Sequence, residues 1–348
     1  MAEVDRFRPG DDRRALDALY RRVFGNDAAD ASRLRWDWQY RRNPNNPNGS
    51  PVIYVAREGP SIVGQYATMP VRLWVRGQEI DASWGTDVMV APERQRQGIG
   101  EVLFRTWDRN TGASLGLGLS ESSQHLIKKL RWPDPTAVPC LIKPLTRRAF
   151  KHPNWPDSLN NLVSALTVPI VKIVARSRPL SAQIEMVRRF PAEVTALWER
   201  VASKFDFAVR RDMPYLNWKF SEAPHVRYSL ALLKRDSRVE GYAVYRHQQE
   251  PRSRVTNLVD FLVDPDDDIG MNTILRWVDR EARSADSDKV RTFALHAGFR
   301  RLLRRAGYFT VKSSMEILAK VNRADVPPDF HEHTDRWHVT LGDSDQDR

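Results

Sequence analysis

Apolar residues occur in short runs through the first part of the chain, and in some of these runs, such as 81–90, they alternate with polar residues. Such alternation is typical of half-buried strands, and the runs end at turn-forming residues. The pattern predicts strands at 52–57, 62–69, 71–76, 81–90, 113–120 and 137–142. Helical spacing is found after Asp11 and Asp12, where an apolar stripe continues up to Gly25, and again at 34–40 and 121–130. The order predicted is therefore two helices, an antiparallel meander, and then alternating helices and strands.

The fourth predicted strand leads into a basic glycine loop and then a helix. Val88 and Val90 alternate as in a strand, and Pro92 ends the ladder because it has no N–H to donate. Beyond Gly98 and Gly100 a helical stripe of apolar residues begins. The first N–H groups of a helix are unpaired and its dipole is positive there, and glycine lets an anion approach the backbone. The sequence therefore predicts an anion-binding site in this loop.

Gln95, Gly98 and Gly100, spaced as Gln-x-x-Gly-x-Gly after a Val-x-Val-x-Pro strand, resemble the pyrophosphate loop of the GNAT acyl-CoA N-acyltransferases. The loop is not a Walker loop, since no Gly-Lys-Ser/Thr follows, and it lacks the G-x-G-x-x-G spacing of dinucleotide folds. The resemblance covers roughly residues 5–147. It implies an α/β (α+β) fold with a mixed, mostly antiparallel twisted sheet flanked by helices. The alternative interpretation of the glycine loop is a basic surface turn before an ordinary helix.

Five segments of the first half recur in the second half, at offsets between 173 and 180 residues. They pair 18–23 with 196–201, 38–40 with 218–220, 62–64 with 239–241, 86–92 with 259–265 and 126–132 with 302–308. The recurrence indicates one duplicated unit and therefore two tandem GNAT-like domains. We place an N-terminal acyl-CoA-binding domain at 1–147, a linker with an apolar helix at 148–184, a degenerate C-terminal domain at 185–341 and a frayed polar tail at 342–348.

The second copy differs from the first at the anion site. After Pro265 it has three consecutive acids at 266–268, a single glycine at Gly270 and no basic residue. These acids and Asp264 would face a pyrophosphate with like charge, which is unfavourable when the groups are desolvated. We therefore expect the second copy not to bind CoA in the usual place. Its expected role is to wall the acceptor cleft or to select the acceptor, and a packing partner is the alternative.

The formal charge of +11 and the pI near 9.9 favour anionic partners, among which charge alone does not choose. A single cysteine, Cys140, excludes an intrachain disulfide and argues against a structural zinc site. The first residues do not resemble a signal peptide, and no apolar run is long enough to span a bilayer. These observations predict a cytoplasmic enzyme. For the apolar segment 159–175 we expect a helix docked between the domains, with a peripheral membrane contact as the alternative.

The resemblance implies acetyl-CoA or another acyl-CoA as co-substrate, and no metal. The backbone at 88–90 would pair with the pantetheine arm like an added strand, and main-chain N–H groups at 95–100 would hold the pyrophosphate. The candidate cofactor-binding residues are Val88, Met89, Val90, Gln95, Arg96, Gln97, Gly98, Ile99 and Gly100. Arg94 and Arg96 would offset the remaining phosphate charge.

The reaction implied by the resemblance is direct attack of an amine on the thioester while both substrates are bound. Many family members use a tyrosine of the helix after the fifth strand to protonate the leaving thiolate. Ile127 occupies that position here, so another donor must serve. The candidate catalytic residues are Asp87, Ser120 and Glu121. Ser120 equally suits the N-cap of the following helix.

Asp87 is the first choice for the base because it lies on the strand beside the thioester. Strict alternation points it away from Thr86 and Val88, and a bulge in the strand would change that. The alternative is a purely structural aspartate. Asp260, at the matching place in the second copy, favours this alternative because a copy without a cofactor needs no base.

Three functions remain open at this point. The first is an N-acyltransferase, with acetyl as the expected group and a small-molecule amine, an amino sugar or a cell-envelope precursor as acceptor. The second is an aminoacyl-tRNA-dependent transferase of the peptidoglycan type, which the positive charge favours and the glycine loop disfavours. The third is a non-catalytic acyl-CoA-binding protein, suggested by the missing tyrosine. DNA is not an expected partner.

Overall fold

A computed structural model describes residues 2–150, 183–326 and 328–347. The predicted linker helix at 159–175 lies outside these residues. The helices described are α1 (Arg13–Phe24), α2 (Asn26–Trp36), α3 (Ile99–Arg109), α4 (Glu121–Lys129), α5 (Glu193–Val201), α6 (Met213–Leu216), α7 (Asp268–Ser284) and α8 (Ala297–Arg305). The strands are β1 (Glu3–Arg6), β2 (Ile53–Glu58), β3 (Ser61–Val75), β4 (Gln78–Val90), β5 (Ala113–Leu117), β6 (Thr136–Ala137), β7 (Cys140–Pro144), β8 (Gln183–Val187), β9 (Phe207–Val209), β10 (Ser229–Arg235), β11 (Arg238–Glu250), β12 (Ser253–Val263), β13 (Lys289–Phe293), β14 (Phe309–Val311), β15 (Glu316–Val321) and β16 (Trp337–His338).

The first sheet has the strand order β1-β2-β3-β4-β5-β15-β6, with β9 paired to β3 and β16 paired to β9. Its neighbours along the main path are antiparallel except β4 and β5, which run parallel. A parallel pair needs a crossover connection, and α3 provides it. Helices α1 and α3 pack against this sheet. The mixed, mostly antiparallel sheet flanked by helices that the sequence predicts is confirmed.

The second sheet has the order β14-β7-β13-β12-β11-β10-β8. Here β12 and β13 are the parallel pair, and α7 forms the crossover between them. The meander, the parallel pair and the crossover helix therefore appear in the same chain order as in the first sheet. Two GNAT-like sheets are present, as expected.

The two sheets exchange strands near their parallel pairs. β7, from the first half of the chain, lies between β13 and β14 of the second sheet. In return, β15 from the second half pairs with β5 of the first sheet. The strand predicted at 137–142 is therefore divided, with Ala137 in the first sheet and residues 140–142 in the second. The predicted domain boundaries follow the order of the chain, whereas the hydrogen-bonded sheets cross those boundaries.

β3 is one continuous strand, although the sequence predicts two strands that meet near Pro70. Its pairing with β2 ends at Ala67, and its pairing with β9 begins at Leu73. Among the described residues, no strand pairs with the outer edge of β3 at Pro70, so its missing N–H leaves no gap in a ladder. The prediction of a break at this proline was wrong for that reason.

The C-terminal segment, residues 339–347, is buried, so the predicted frayed tail at 342–348 is wrong for its described residues. Asp343 and Ser344 are 2% and 1% exposed. Asp343 accepts a hydrogen bond from the buried guanidinium of Arg211 at 3.0 Å, and Asp347 pairs with Arg246 at 2.6 Å. Buried acids are stable only when paired, and these cations supply the pairing.

Candidate functional site

A cavity of 660 Å³ is lined by the end of β4, which extends beyond the pairing of this strand with β5. The two strands pair at Ser83 with Ser114 and at Trp84 with Leu115, and no pairing between them continues beyond that point. Of β4, the residues Val88, Met89 and Val90 line the cavity. Eight of the nine candidate cofactor residues line the cavity, namely Val88, Met89, Val90, Gln95, Arg96, Gly98, Ile99 and Gly100. The remaining candidate, Gln97, is not among the lining residues.

The loop before α3 directs the start of that helix at the cavity. Gly98 is the N-cap residue, and its φ of 82° lies in the left-handed region that glycine adopts without strain. No side chain caps this end, and the first intrahelical bond runs from the Val102 N–H to the Gly98 carbonyl. The N–H groups at 99–101 thus have no partner within the helix, which is the arrangement that binds anions.

Charged side chains surround the same end of the cavity. Arg94 pairs with Glu58 at 2.6 Å, and Glu101 in the first turn of α3 pairs with Lys129 of α4 at 2.6 Å. The ammonium of Lys129 is the main cause of the lowered pKa of Glu101. Because Glu101 is neutralised by its neighbours, the positive helix terminus is not offset by an unpaired acid.

Asp87 lies at a β-bulge, as its proposed role requires. Gln65 pairs with Met89 and Ala67 with Thr86, so Asp87 and Val88 together face one residue of β3. The φ of Asp87 is 40°, and its backbone carbonyl accepts a hydrogen bond from the Gln65 amide at 2.9 Å. The bulge rotates the carboxylate toward α1 and α2 instead of into the cavity described above.

The Asp87 carboxylate accepts hydrogen bonds from the hydroxyls of Tyr20 at 3.0 Å and Tyr40 at 2.5 Å. Arg35 approaches the other carboxylate oxygen at 3.5 Å. Burial, and then the Asp87 charge, raise the pKa of both phenols well above their usual value, so both stay protonated donors. A buried carboxylate with two phenols and a guanidinium around it is a well-satisfied group.

Asp260 has closely similar surroundings in the second sheet. Its carboxylate accepts from Tyr242 at 2.7 Å, from Arg211 at 3.1 Å and from Thr340 at 2.7 Å. A bulge interrupts the β11–β12 pairing beside it. The same combination of bulge, aspartate, tyrosine and arginine thus occurs in both sheets, which supports the structural alternative for Asp87.

The other two candidate catalytic residues lie at the start of α4. The Ser120 hydroxyl accepts the Ser123 N–H at 3.3 Å and so forms the N-cap of α4. Glu121 is exposed in the first turn, and neither residue is among those that line the cavity. Ile127, at the position of the family tyrosine, is buried.

In the second sheet, the edge of β12 that corresponds to the cavity-lining end of β4 is occupied by the protein's own C-terminal segment. Beyond Leu258, the edge of β12 no longer pairs with β13. Its Val259 carbonyl accepts from the Gly342 N–H at 2.9 Å, and its Phe261 carbonyl lies 2.9 Å from His338 Nε2. The acids of the loop also have local partners, since Asp267 caps α7 through the Gly270 N–H at 2.9 Å.

Two features of the site were missed from the sequence. Tyr66 of β3 lines the cavity, although it lies inside the strand predicted at 62–69 and belongs to no motif. The C-terminal segment reaches the end of β5, where a Cβ on Gly118 would stand 2.3 Å from the Gln346 side chain. The glycine with positive φ at 118 is a local signal, but nothing local identifies its neighbour.

In the described ranges, no group of three or more His, Cys, Asp or Glu side chains is placed to hold a metal ion. Among the helices given above, none combines the length and the apolar character needed to cross a membrane.

Comparison with known proteins gives a family match for one part of the chain. Residues 6–111 match the family model described as an acetyltransferase (GNAT) domain. No curated protein matches the chain.

Solved structures share the whole fold. A GCN5-related N-acetyltransferase from Anabaena variabilis superposes with a TM-score of 0.64 at 11% identity, over 92% of this chain and 73% of that chain. A probable N-acyltransferase from Enterococcus faecalis gives 0.61 at 10% identity, over 92% and 73%. Saccharomyces cerevisiae N-myristoyltransferase with bound myristoyl-CoA gives 0.56 at 13%, over 94% and 82%. At these identities the likeness concerns the fold. The chain thus carries a match to a GNAT acetyltransferase domain over residues 6–111, and it shares its two-sheet fold with these solved structures.

Proposed function

We propose that this chain transfers an acyl group, with acetyl as the expected one, from acyl-CoA to a primary amine by direct attack in a ternary complex. The observation that supports the proposal most strongly is the start of α3. Its first N–H groups, which have no partner within the helix, lie at a cavity that is also lined by the end of β4. A diphosphate at this helix end would leave the pantetheine arm beside 88–90, as the resemblance implies.

Asp87 remains our proposed base, because it directly precedes the segment expected to bind pantetheine. Its hydrogen bonds to Tyr20 and Tyr40 support a structural role equally well. Ser120 serves the helix cap and Glu121 is exposed, so neither gains support from its position. The donor of a proton to the thiolate is not assigned to any of the three.

We propose that only the first sheet binds coenzyme and that the second domain borders the acceptor cleft. Residues 338–342 occupy the edge of β12 that a coenzyme arm would need, which supports one site per chain. The elements follow the same chain order in the two sheets, which supports an origin by duplication. A small-molecule amine, an amino sugar or a cell-envelope precursor stays the expected acceptor, and the cytoplasmic location stays a prediction.

The test is calorimetric titration of the chain with acetyl-CoA, using Gly100→Asp and Gly100→Asn as a matched pair. An acid in the first helical turn suits the helix dipole, so Gly100→Asp should fold at least as well as the wild type. It should nevertheless abolish binding, because its charge opposes the diphosphate. Gly100→Asn has nearly the same size without the charge and should weaken binding less.

Equal affinities of wild type and Gly100→Asp would refute the site. Failure of the wild type to bind CoA or acyl-CoA would favour the aminoacyl-tRNA alternative. Release of free thiol from acetyl-CoA with a panel of amines then tests catalysis, since a non-catalytic binding protein would bind the coenzyme and release no thiol.

A further inference from the structure

Tyr66 stands at the inner end of the cavity, and no role has been assigned to it. It extends from β3 across the neighbouring strand, and its hydroxyl lies 2.3 Å from the point where a Cβ on Gly85 would be. Gly85 is the first residue of β4 beyond its pairing with β5. The phenol therefore covers the point where the two strands separate, and it does so because Gly85 has no side chain.

Neighbouring rings fix the position of this phenol. Tyr66 stacks on Trp107 with ring centroids 4.7 Å apart and planes at 22°, and it meets the edge of Phe104 at 5.6 Å. The residue is 4% exposed. Packed aromatic rings at such distances have little freedom to move aside. Tyr66 is thus a rigid wall of the cavity.

The direction of the coenzyme follows from the function proposed above, on which this inference rests. With the diphosphate at Gly98–Gly100, the pantetheine arm runs back along β4 from Val90 toward Gly85. The acyl group is at the far end of that arm and so meets Tyr66 first. Phe104 and Leu126, which also line the cavity, make its inner part largely apolar.

In the second half of the chain, the large and the small residue at the matching positions are exchanged between the two strands. At the offsets of the neighbouring repeated segments, Tyr66 corresponds to Ala243 and Gly85 to Leu258. Both of these residues are buried in the second sheet. In the second sheet, the large residue of the pair is thus on β12, which corresponds to β4, and the small one is on β11, which corresponds to β3. The first copy instead places the large ring where it reaches the cavity.

We propose that Tyr66 sets the length of the acyl group that the site accepts, by closing the cavity behind a short chain. A longer chain would have to displace a ring that is held by Trp107 and Phe104. The wall is formed by the ring, so the hydroxyl is not required for the restriction.

The experiment compares the affinities of CoA, acetyl-CoA and octanoyl-CoA for the wild type, Tyr66→Phe and Tyr66→Ala by calorimetry. For the wild type and Tyr66→Phe, we expect octanoyl-CoA to bind at least about ten-fold more weakly than acetyl-CoA, because extra methylenes in a filled pocket are not tolerated. Tyr66→Ala should remove this difference and leave the affinity for CoA unchanged. Tyr66→Leu serves if the alanine variant does not fold, since it also removes the ring.

Equal binding of the two acyl-CoAs by the wild type would overturn the inference, as would an unchanged preference in the folded Tyr66→Ala or Tyr66→Leu variant. Both results leave CoA binding intact, so they would not count against the proposed function. Absence of CoA binding by the wild type would instead refute the proposed function and, with it, this inference. Gly100→Asp controls for nonspecific binding of the octanoyl chain, since it should bind none of the three.

Discussion

Trp38 and Trp218 each donate their indole N–H to the other's backbone carbonyl oxygen, at 2.6 and 2.7 Å. Their rings stack with centroids 5.3 Å apart, and each residue lies in a short π-helical turn. The two positions are separated by the offset of the repeat in this region. A local two-fold relation between the halves of the molecule therefore passes between these indoles.

We expect Trp38→Phe and Trp218→Phe each to lower the free energy of unfolding by about 1–3 kcal/mol, because each leaves a buried carbonyl without its donor. The double variant should cost less than the sum of the single ones, since the rings share one stack. Denaturant unfolding measures the three values. Trp74→Phe is a control, because the Trp74 indole donates to Phe205 at 3.1 Å away from the local axis. Strictly additive losses would argue against a coupled pair.

Asp87→Asn separates the catalytic and structural interpretations of that residue, with Asp260→Asn as its matched control. Both changes remove a buried acceptor, and we expect losses of about 1–3 kcal/mol in the free energy of unfolding for Asp87→Asn and more for Asp260→Asn, which is paired with Arg211. As the base, Asp87 should also be required for thiol release, with a loss of about 10²-fold or more in turnover and unchanged CoA affinity. Full turnover by folded Asp87→Asn would leave it a structural residue.

Gly85→Ala tests the close contact between β4 and the Tyr66 ring. The added methyl would stand 2.3 Å from the Tyr66 hydroxyl, so we expect destabilisation of about 1–3 kcal/mol by overpacking. In a Tyr66→Ala background the same substitution should cost clearly less, because the clash is gone. Thermal unfolding of the four proteins gives the coupling energy. Equal effects of Gly85→Ala in the two backgrounds would place the ring elsewhere.

His296 should make the protein less stable in mild acid. Burial among rings, including Phe205 at 5.4 Å, lowers its pKa to about 4. Between about pH 6.5 and 4, the unfolded chain binds a proton that the folded protein does not, so the free energy of unfolding falls as the pH falls through this window. The loss is about 3 kcal/mol at most. His296→Phe should remove this loss. Urea unfolding at pH 7 and pH 4.5 measures it, and an equal loss of unfolding free energy in the wild type and in His296→Phe would contradict the prediction.

The sequence predicted those parts of the site that are determined by residues close to one another along the chain. The alternation of Val88 and Val90, the stop at Pro92 and the glycines before α3 specify a strand, a loop and a helix over a short stretch of chain. The bulge at Asp87 was expected only as a condition for its catalytic role, and the register of β3 and β4 contains it. The site residues themselves remain predictions until binding is measured.

The exchange of β7 and β15 was not predictable from such patterns. Both strands contain short apolar runs like their neighbours, and an apolar run does not specify which sheet a strand joins. The C-terminal segment was missed for a related reason. Its polar composition suggested a frayed end, but Arg211 and Arg246, which lie far from it in the sequence, pair with its acids inside the fold. Charge pairing over such separations leaves no local signal.

The number of coenzyme molecules per chain depends on what fills the second sheet. If charge alone prevented binding there, Asp266→Asn combined with Asp268→Asn would create a second site. The C-terminal segment bonds to the same edge of β12, through Gly342 and His338, so we expect one equivalent of acetyl-CoA before and after these changes. Asp267 is retained because it caps α7. Adding Gly100→Asp to the same protein should abolish binding altogether. A residual equivalent in that triple variant would show that the second sheet can accept the coenzyme after all.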